Sequence, residues 1–245
     1  MIPPVKAKYP EFLFIAEAYW DREWELQQQG FDYCYDKRLY DRLRQGAADA
    51  IKKHLLADLG YQERLVRFLE NHDEPRAAAA FADRQARAAA VTCATLPGAR
   101  LFHEGQFEGR RVRLPVFLNR RPDEPVDADL QNFYSTLPAA TAQPVFKEGA
   151  WRLLEPYDWP DNRSYLNLAA WTWRLGEERR LVIVNLSGHR SQAQVPLPWE
   201  DLPGHAWQLT DAFTGEIYER DGQELRHPGL FVDLEGWQFH FFRVG

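Results

Sequence analysis

The sequence predicts an α/β chain in two parts: a partial (β/α)8 barrel over residues 1–142, then an antiparallel β-sandwich domain over residues 143–245. Three observations carry this. Apolar strand-like runs alternate with helical periodicities through the first part, as in a parallel sheet built from βα units. Near Gln143 the pattern changes to short strand-like runs separated by turn residues, as in a small antiparallel sandwich. The first part holds only four βα units, whereas a closed eight-stranded barrel takes about 250 residues.

Phe12-Leu13-Phe14-Ile15-Ala16, closed by Glu17, is an unbroken apolar run. Such a run suits a parallel strand covered on both faces. Gly30 to Tyr35 alternates and reads as a second strand. Leu39, Leu43, Ala47, Ile51 and Leu55 recur at helical spacing, which predicts one helical face. Residues 66–70 read as a third strand. The Ala-rich stretch 76–94 reads as a helix, with Asp73 or Asp83 available as its N-cap. Pro97-Gly98 ends it, Arg100 to His103 reads as a fourth strand, and Asp127 to Leu137 as a further helix. The later runs are Trp171–Leu175, Arg180–Val184, Ala206–Leu209 and Gln238–Phe242. Gly176-Glu177, Ser187-Gly188 and Asp221-Gly222 supply turn signals between them.

Composition excludes some functions. A net charge of −6 and a pI near 5.7 argue against a nucleic-acid surface. Cys34 and Cys93 have neither metal-ligand spacing nor a disulfide framework, so both read as buried thiols. No apolar run is long enough to span a membrane. The segment Met1-Ile2-Pro3-Pro4-Val5-Lys6 lacks the regions of a signal peptide, so a cytoplasmic location is expected. Aromatics reach 14% and include nine Trp. Aromatic faces suit sugar rings, but aromatics also fill β cores, so composition alone favours the structural use.

The chemistry concentrates on two acids. Glu17 and Asp73 each follow an apolar strand, the position where α/β barrels place catalytic groups. Two carboxyls on different strands are the equipment for cleaving a glycosidic bond. Glu17, flanked by Ala16, Ala18, Tyr19 and Trp20, is poorly solvated if the strand end is enclosed, and desolvation suits a general acid. A structural ion pair is the competing use. Asn71-His72-Asp73 offers an imidazole donor and a carboxylate acceptor for sugar hydroxyls, although such triplets also occur in turns. Arg76 is placed to pair with Asp73 and hold it ionised.

These residues carry a resemblance. Phe14-Ile15-Ala16-Glu17-Ala18-Tyr19-Trp20 resembles the fifth-strand motif of the α-amylase family of glycoside hydrolases. Phe68-Leu69-Glu70-Asn71-His72-Asp73 resembles its seventh-strand motif. Leu96-Pro97-Gly98 with Phe102-His103-Glu104-Gly105-Gln106 and Glu108 resembles its eighth-strand region. Their order and spacing fit strands five, seven and eight of a (β/α)8 barrel, and the family also carries a C-terminal β-sandwich. The resemblance implies that Glu17 is the acid/base, that Asp73 stabilises the oxocarbenium-like transition state, and that His72 binds the same sugar. Asn71, Arg76, Tyr19 and Trp20 would support substrate binding. The implied partner is an α-glucan or other α-glucoside, with no cofactor and no metal.

One departure matters. The family's nucleophile is an Asp after the fourth strand, in an Arg-x-Asp motif. The one Arg-x-Asp here, Arg121-Pro122-Asp123, lies in a later polar loop and is rejected as its counterpart. The expectation is therefore a chain resembling a retaining hydrolase or transglycosylase but inactive alone for want of the nucleophile-bearing half. The alternative is a non-catalytic sugar-binding or interaction module, in which Glu17→Gln leaves sugar binding unchanged. Open parallel edges invite pairing with other chains, so the chain is expected to self-associate or to need the missing half. Size-exclusion chromatography tests this: a sharp monomer peak with cooperative unfolding would contradict it.

Overall fold

The computed structural model describes residues 2–19, 21–118 and 120–245. Four short parallel strands form the first sheet: β1 (Ile15–Ala16), β2 (Tyr33–Tyr35), β3 (Leu65–Arg67) and β4 (Ala99–Arg100), side by side in chain order. The register pairs Ile15 with Tyr33, Cys34 with Leu65, and Val66 with Ala99. Helix α1 (Ile2–Lys8) precedes β1, and α2 (Glu23–Gln28) leads into β2. Helices α3 (Lys37–Gln45), α4 (Ala48–Leu55) and α5 (Leu59–Gln62) connect β2 to β3. Helices α6 (Ala77–Ala80) and α7 (Asp83–Thr95) connect β3 to β4, and α8 (Ala128–Thr141) and α9 (Val145–Glu148) follow.

The helical face expected over 39–55 is split. Gly46 adopts φ 67° and ends α3 as a left-handed C-cap, so α4 starts anew. The stretch 76–94 is split too, because Phe81 and Ala82 are extended. Neither Asp73 nor Asp83 caps it: the N-cap positions are Arg76 and Ala82, and neither makes a side-chain cap. Instead the Glu70 carboxylate accepts the Ala77 N–H at 2.5 Å. At Gly98, φ is 106° and an added Cβ would lie 2.3 Å from the Leu65 carbonyl oxygen. The lack of a side chain there lets β4 approach β3.

The rest of the chain is antiparallel. Strands β5 (Ala150–Leu154), β6 (Leu168–Leu175), β7 (Glu178–Asn185), β8 (Ser191–Val195), β9 (Ala206–Asp211), β10 (Ile217–Asp221), β11 (Leu230–Leu234) and β12 (Phe239–Val244) divide into two sheets. Six strands run in the order β10-β9-β12-β7-β6-β5, and β8 pairs with β11. One face of the larger sheet packs on the β8–β11 pair through Leu181, Ile183, Val195 and Val232. Its other face, with Trp171, Trp173, Val182 and Val184, joins the core formed by α3, α4, α7 and α8. Trp173 Nε1 donates to the Thr95 carbonyl at 2.7 Å, and Trp171 Nε1 to Thr95 Oγ1 at 3.2 Å. Cover on both faces explains why β7 is buried from Arg179 to Asn185 rather than alternating. Both cysteines are buried and free.

Strands β1 and β4 are the open edges of the parallel sheet. Phe12, Leu13 and Ile15, at the β1 edge, are each more than half exposed.

A largely buried polar network ties this sheet to its helices. The Asp36 carboxylate receives the Arg67 guanidinium, His54 Nε2 at 2.9 Å and the Leu39 N–H at 3.0 Å. Arg67 also donates to the Pro97 carbonyl and to Gln62 Oε1, each at 3.2 Å. Arg42 donates to His54 Nδ1 at 2.6 Å. Arginine only donates, so in the neutral ring the proton sits on Nε2, facing Asp36. Burial alone raises the Asp36 carboxyl, but Arg67 and His54 outweigh it and hold it at about 2.

Removing one partner of a buried pair costs about 3–5 kcal/mol, so Arg67→Met is expected to lower the urea-unfolding free energy by that order. A loss below about 1 kcal/mol, the range of exposed pairs, would contradict the assignment. The depressed Asp36 carboxyl also sets a sign. Its contribution is present above the unfolded value of about 3.9 and is lost as pH falls toward 2.

Candidate functional site

The segments leaving β1 and β3 bring the sequence-predicted residues together. Glu17 follows β1 directly, and Asn71-His72-Asp73 lies just beyond β3. His72 Nε2 stands 3.5 Å from Asp73 Oδ2 and 3.8 Å from Glu17 Oε2. Tyr19 Oη donates to Glu17 Oε1 at 2.8 Å. Burial, and then this bond to Glu17, pushes the Tyr19 hydroxyl well up. Glu17, His72 and Asp73 form the one trio of His and carboxylate residues among the described residues whose ligand atoms lie within 4.8 Å of one another. An exposed trio of this kind can meet sugar hydroxyls with one donor and two acceptors, and a cation would compete for the same atoms.

Asn71 shapes the turn. Its side-chain oxygen accepts the N–H groups of Asp73 and Glu74, both at 2.9 Å, and so curls Asp73 toward His72. Its Nδ2 is buried and has no hydrogen-bond partner among the described residues.

Two expectations need correction. Glu17 is not enclosed: its side chain is 36% exposed, because the segment after β1 lies at the open edge of the sheet. Arg76 does not pair with Asp73. It is buried, with Nη2 3.1 Å from Glu70 Oε1, Nη1 2.8 Å from His103 Nδ1, and a 2.6 Å bond to the Glu104 carbonyl. Its place at the start of α6 turns it inward, and the cation near Asp73 is Arg113, at 4.0 Å. Trp20 lies outside the described residues.

Glu70 is the site residue that sequence reasoning missed. It is buried, accepts the Ala77 N–H, and so clasps both ends of the turn that carries Asn71, His72 and Asp73. Its contact with Arg76 Nη2 is a charge contact without hydrogen-bond alignment. Burial therefore prevails over the Ala77 N–H and Arg76, and the carboxyl is pushed up to about 7. A lone carboxylate after Phe68-Leu69 was the available signal. The neighbouring His103 ring is pulled down by burial and then by Arg76.

Two hollows flank the trio. Asp73 lines a groove of about 600 Å³ with Tyr19, Asp21, Glu23 and Glu74. Asn71 and His72 line a cavity of about 350 Å³ with Arg110, Arg113 and Arg121. An extended ligand crossing His72 would touch both.

No profile of an established protein family matches the chain. In sequence it is 31% identical, over 184 residues, to alpha-amylase MalA of Haloarcula japonica, a match spanning 70% of this chain and 26% of that protein. In fold it resembles a noncanonic maltogenic alpha-amylase, AmyB, of Thermotoga neapolitana, with a TM-score of 0.74 and 18% identity over 98% of this chain and 56% of that one. It also resembles an alpha-amylase of Geobacillus thermoleovorans solved with acarbose, with a TM-score of 0.74 and 17% identity over 98% and 55% of the two chains. The chain thus spans about a quarter of its sequence relative and about half of these structural relatives.

The raised Glu70 carboxyl makes a prediction about stability. Its protonated form favours the fold, a contribution fully present below about pH 4.5 and lost as pH rises through about 7. Denaturation at pH 5 and pH 8 should show a loss for the native sequence that Glu70→Gln lacks. Equal pH dependence in the two proteins would contradict this.

Proposed function

We propose that this chain, which belongs to the α-amylase family of glycoside hydrolases, carries one side of a retaining α-glucan site. The observation that carries the reading is the meeting of Glu17, His72 and Asp73 at the carboxyl ends of parallel strands. In this reading β1 to β4 are strands five to eight of a (β/α)8 barrel, residues 1–142 are the barrel part, and residues 143–245 are a β-sandwich domain.

Glu17 is the acid/base. It protonates the departing glycosidic oxygen, and its carboxylate then activates water or a sugar hydroxyl. Tyr19, bonded to the same carboxyl, orients it. Asp73 faces the sugar whose positive charge develops in the transition state, where a fixed carboxylate stabilises an oxocarbenium-like centre. His72 donates to hydroxyls of that sugar. Asn71 and Arg76 act beneath them, Asn71 through the turn and Arg76 by holding Glu70 and the Glu104 segment. A retaining reaction also needs a nucleophile, and Asp123 is no substitute: its motif lies in another loop, with Arg121 engaged by Glu104. The nucleophile then comes from a further segment seated along the open β1 and β4 edges, or the edges are met by a second copy of the chain. A second reading, non-catalytic sugar binding, draws on Trp159 and Phe231 of the C-terminal region, which are 54% and 46% exposed with ring centroids 6.3 Å apart.

The test is hydrolysis of 4-nitrophenyl α-maltotrioside. The 245-residue chain alone is expected to give no turnover. Activity should appear when a segment bearing four further βα units and an Arg-x-Asp is supplied, and Glu17→Gln should reduce it by a factor of about 10²–10⁴. Turnover by the chain alone, or full activity in Glu17→Gln, would overturn the assignment.

A further inference from the structure

We infer that the cavity beside His72 is an anion pocket that holds the phosphate of a phosphorylated α-glucoside, which narrows the substrate class of the proposed site and rests on that reading. The cavity, of about 350 Å³, shares Asn71 and His72 with the site, so a sugar held by His72 would place a substituent within it. Its walls carry Arg76, Arg110, Arg113 and Arg121 against Glu104 and Glu124. That excess of cations occurs in a chain of net charge −6.

The carboxylates in the walls are already engaged. Glu104 meets Arg121. The Glu124 carboxylate accepts the backbone N–H groups of Arg111 at 2.8 Å and Val112 at 3.3 Å. Among the described residues the Arg110 guanidinium reaches the Glu124 carbonyl, which carries no charge to neutralise it. Arg113 is half exposed, and its ion contact is the 4.0 Å approach to Asp73. Arg110 thus has no ion contact among the described residues, and Arg113 has the long one to Asp73.

The guanidinium groups of Arg110 and Arg113 only donate, which favours a ligand that only accepts. A neutral sugar hydroxyl brings a donor with every acceptor, whereas phosphate presents several acceptor oxygens and matches guanidinium geometry. Gly105 lets the cavity wall close in, since an added Cβ would lie 2.5 Å from Arg76 Nη2.

The experiment titrates the full chain with α-D-glucose 1-phosphate and, separately, with methyl α-D-glucoside, following Kd by NMR. The phosphorylated sugar is expected to bind at least tenfold more tightly at low salt. Arg113→Gln and Arg110→Gln should each shrink that ratio at least fivefold, and added salt should shrink it too. Equal binding of the two sugars overturns the pocket and leaves the glucan reading standing. Binding of the phosphorylated sugar alone supports the pocket and counts against a neutral glucan substrate. Binding of neither overturns both. A ratio unchanged in both variants also overturns the pocket.

Discussion

The Asp36–Arg67 pair is the constraint on which the rest of the parallel region depends. Asp36 closes β2 and caps α3, while Arg67 closes β3 and reaches the Pro97 carbonyl ahead of β4. His54 and Gln62 extend the same network to α4 and to the chain around α5. Burying these charges carries a desolvation cost of several kcal/mol per ion, so the network is best understood as fixing which strand lies beside which. Position matters here more than net stability. Three residues beyond Arg67 comes Glu70, and then the turn that carries His72 and Asp73.

Glu70 repeats the strategy at smaller scale. It anchors the far end of the turn at Ala77, and Arg76 carries the link on to His103 and the Glu104 carbonyl. The exposed residues that would meet a ligand therefore stand on a buried polar base. Glu17 has less support within this chain. It stands at the open edge of the sheet, held by Tyr19 and near His72.

Much of this was legible in the sequence, for physical reasons. The parallel strands were marked by apolar runs and the site by acids ending them, so Glu17, His72 and Asp73 could be named before their proximity was known. Helix breaks were harder. Gly46 was visible, but the periodicity of Leu39, Leu43, Ala47 and Ile51 continues across it because α3 and α4 pack on one core. Strands β8 and β10 lack a strong apolar signal: β8 alternates Gln with small or apolar residues, and β10 is an exposed edge. Arg76 was misassigned because sequence proximity favoured Asp73, whereas the turn at Asn71 carries Asp73 outward and the start of α6 carries Arg76 inward. The arginine-lined cavity was invisible, since Arg110 and Arg113 lie far from Asn71 in sequence and meet it only in the fold.

In the proposed reading sugars meet this chain at the carboxyl ends of β1 and β3. Backbone and histidine-ring NMR shifts on adding maltotriose test this. Perturbations are expected to centre on Tyr19, His72 and Asp73, with the His72 ring moving most. Perturbations confined to Trp159 and Phe231 would contradict it and favour a binding platform in the C-terminal region, and the absence of any perturbation would contradict both.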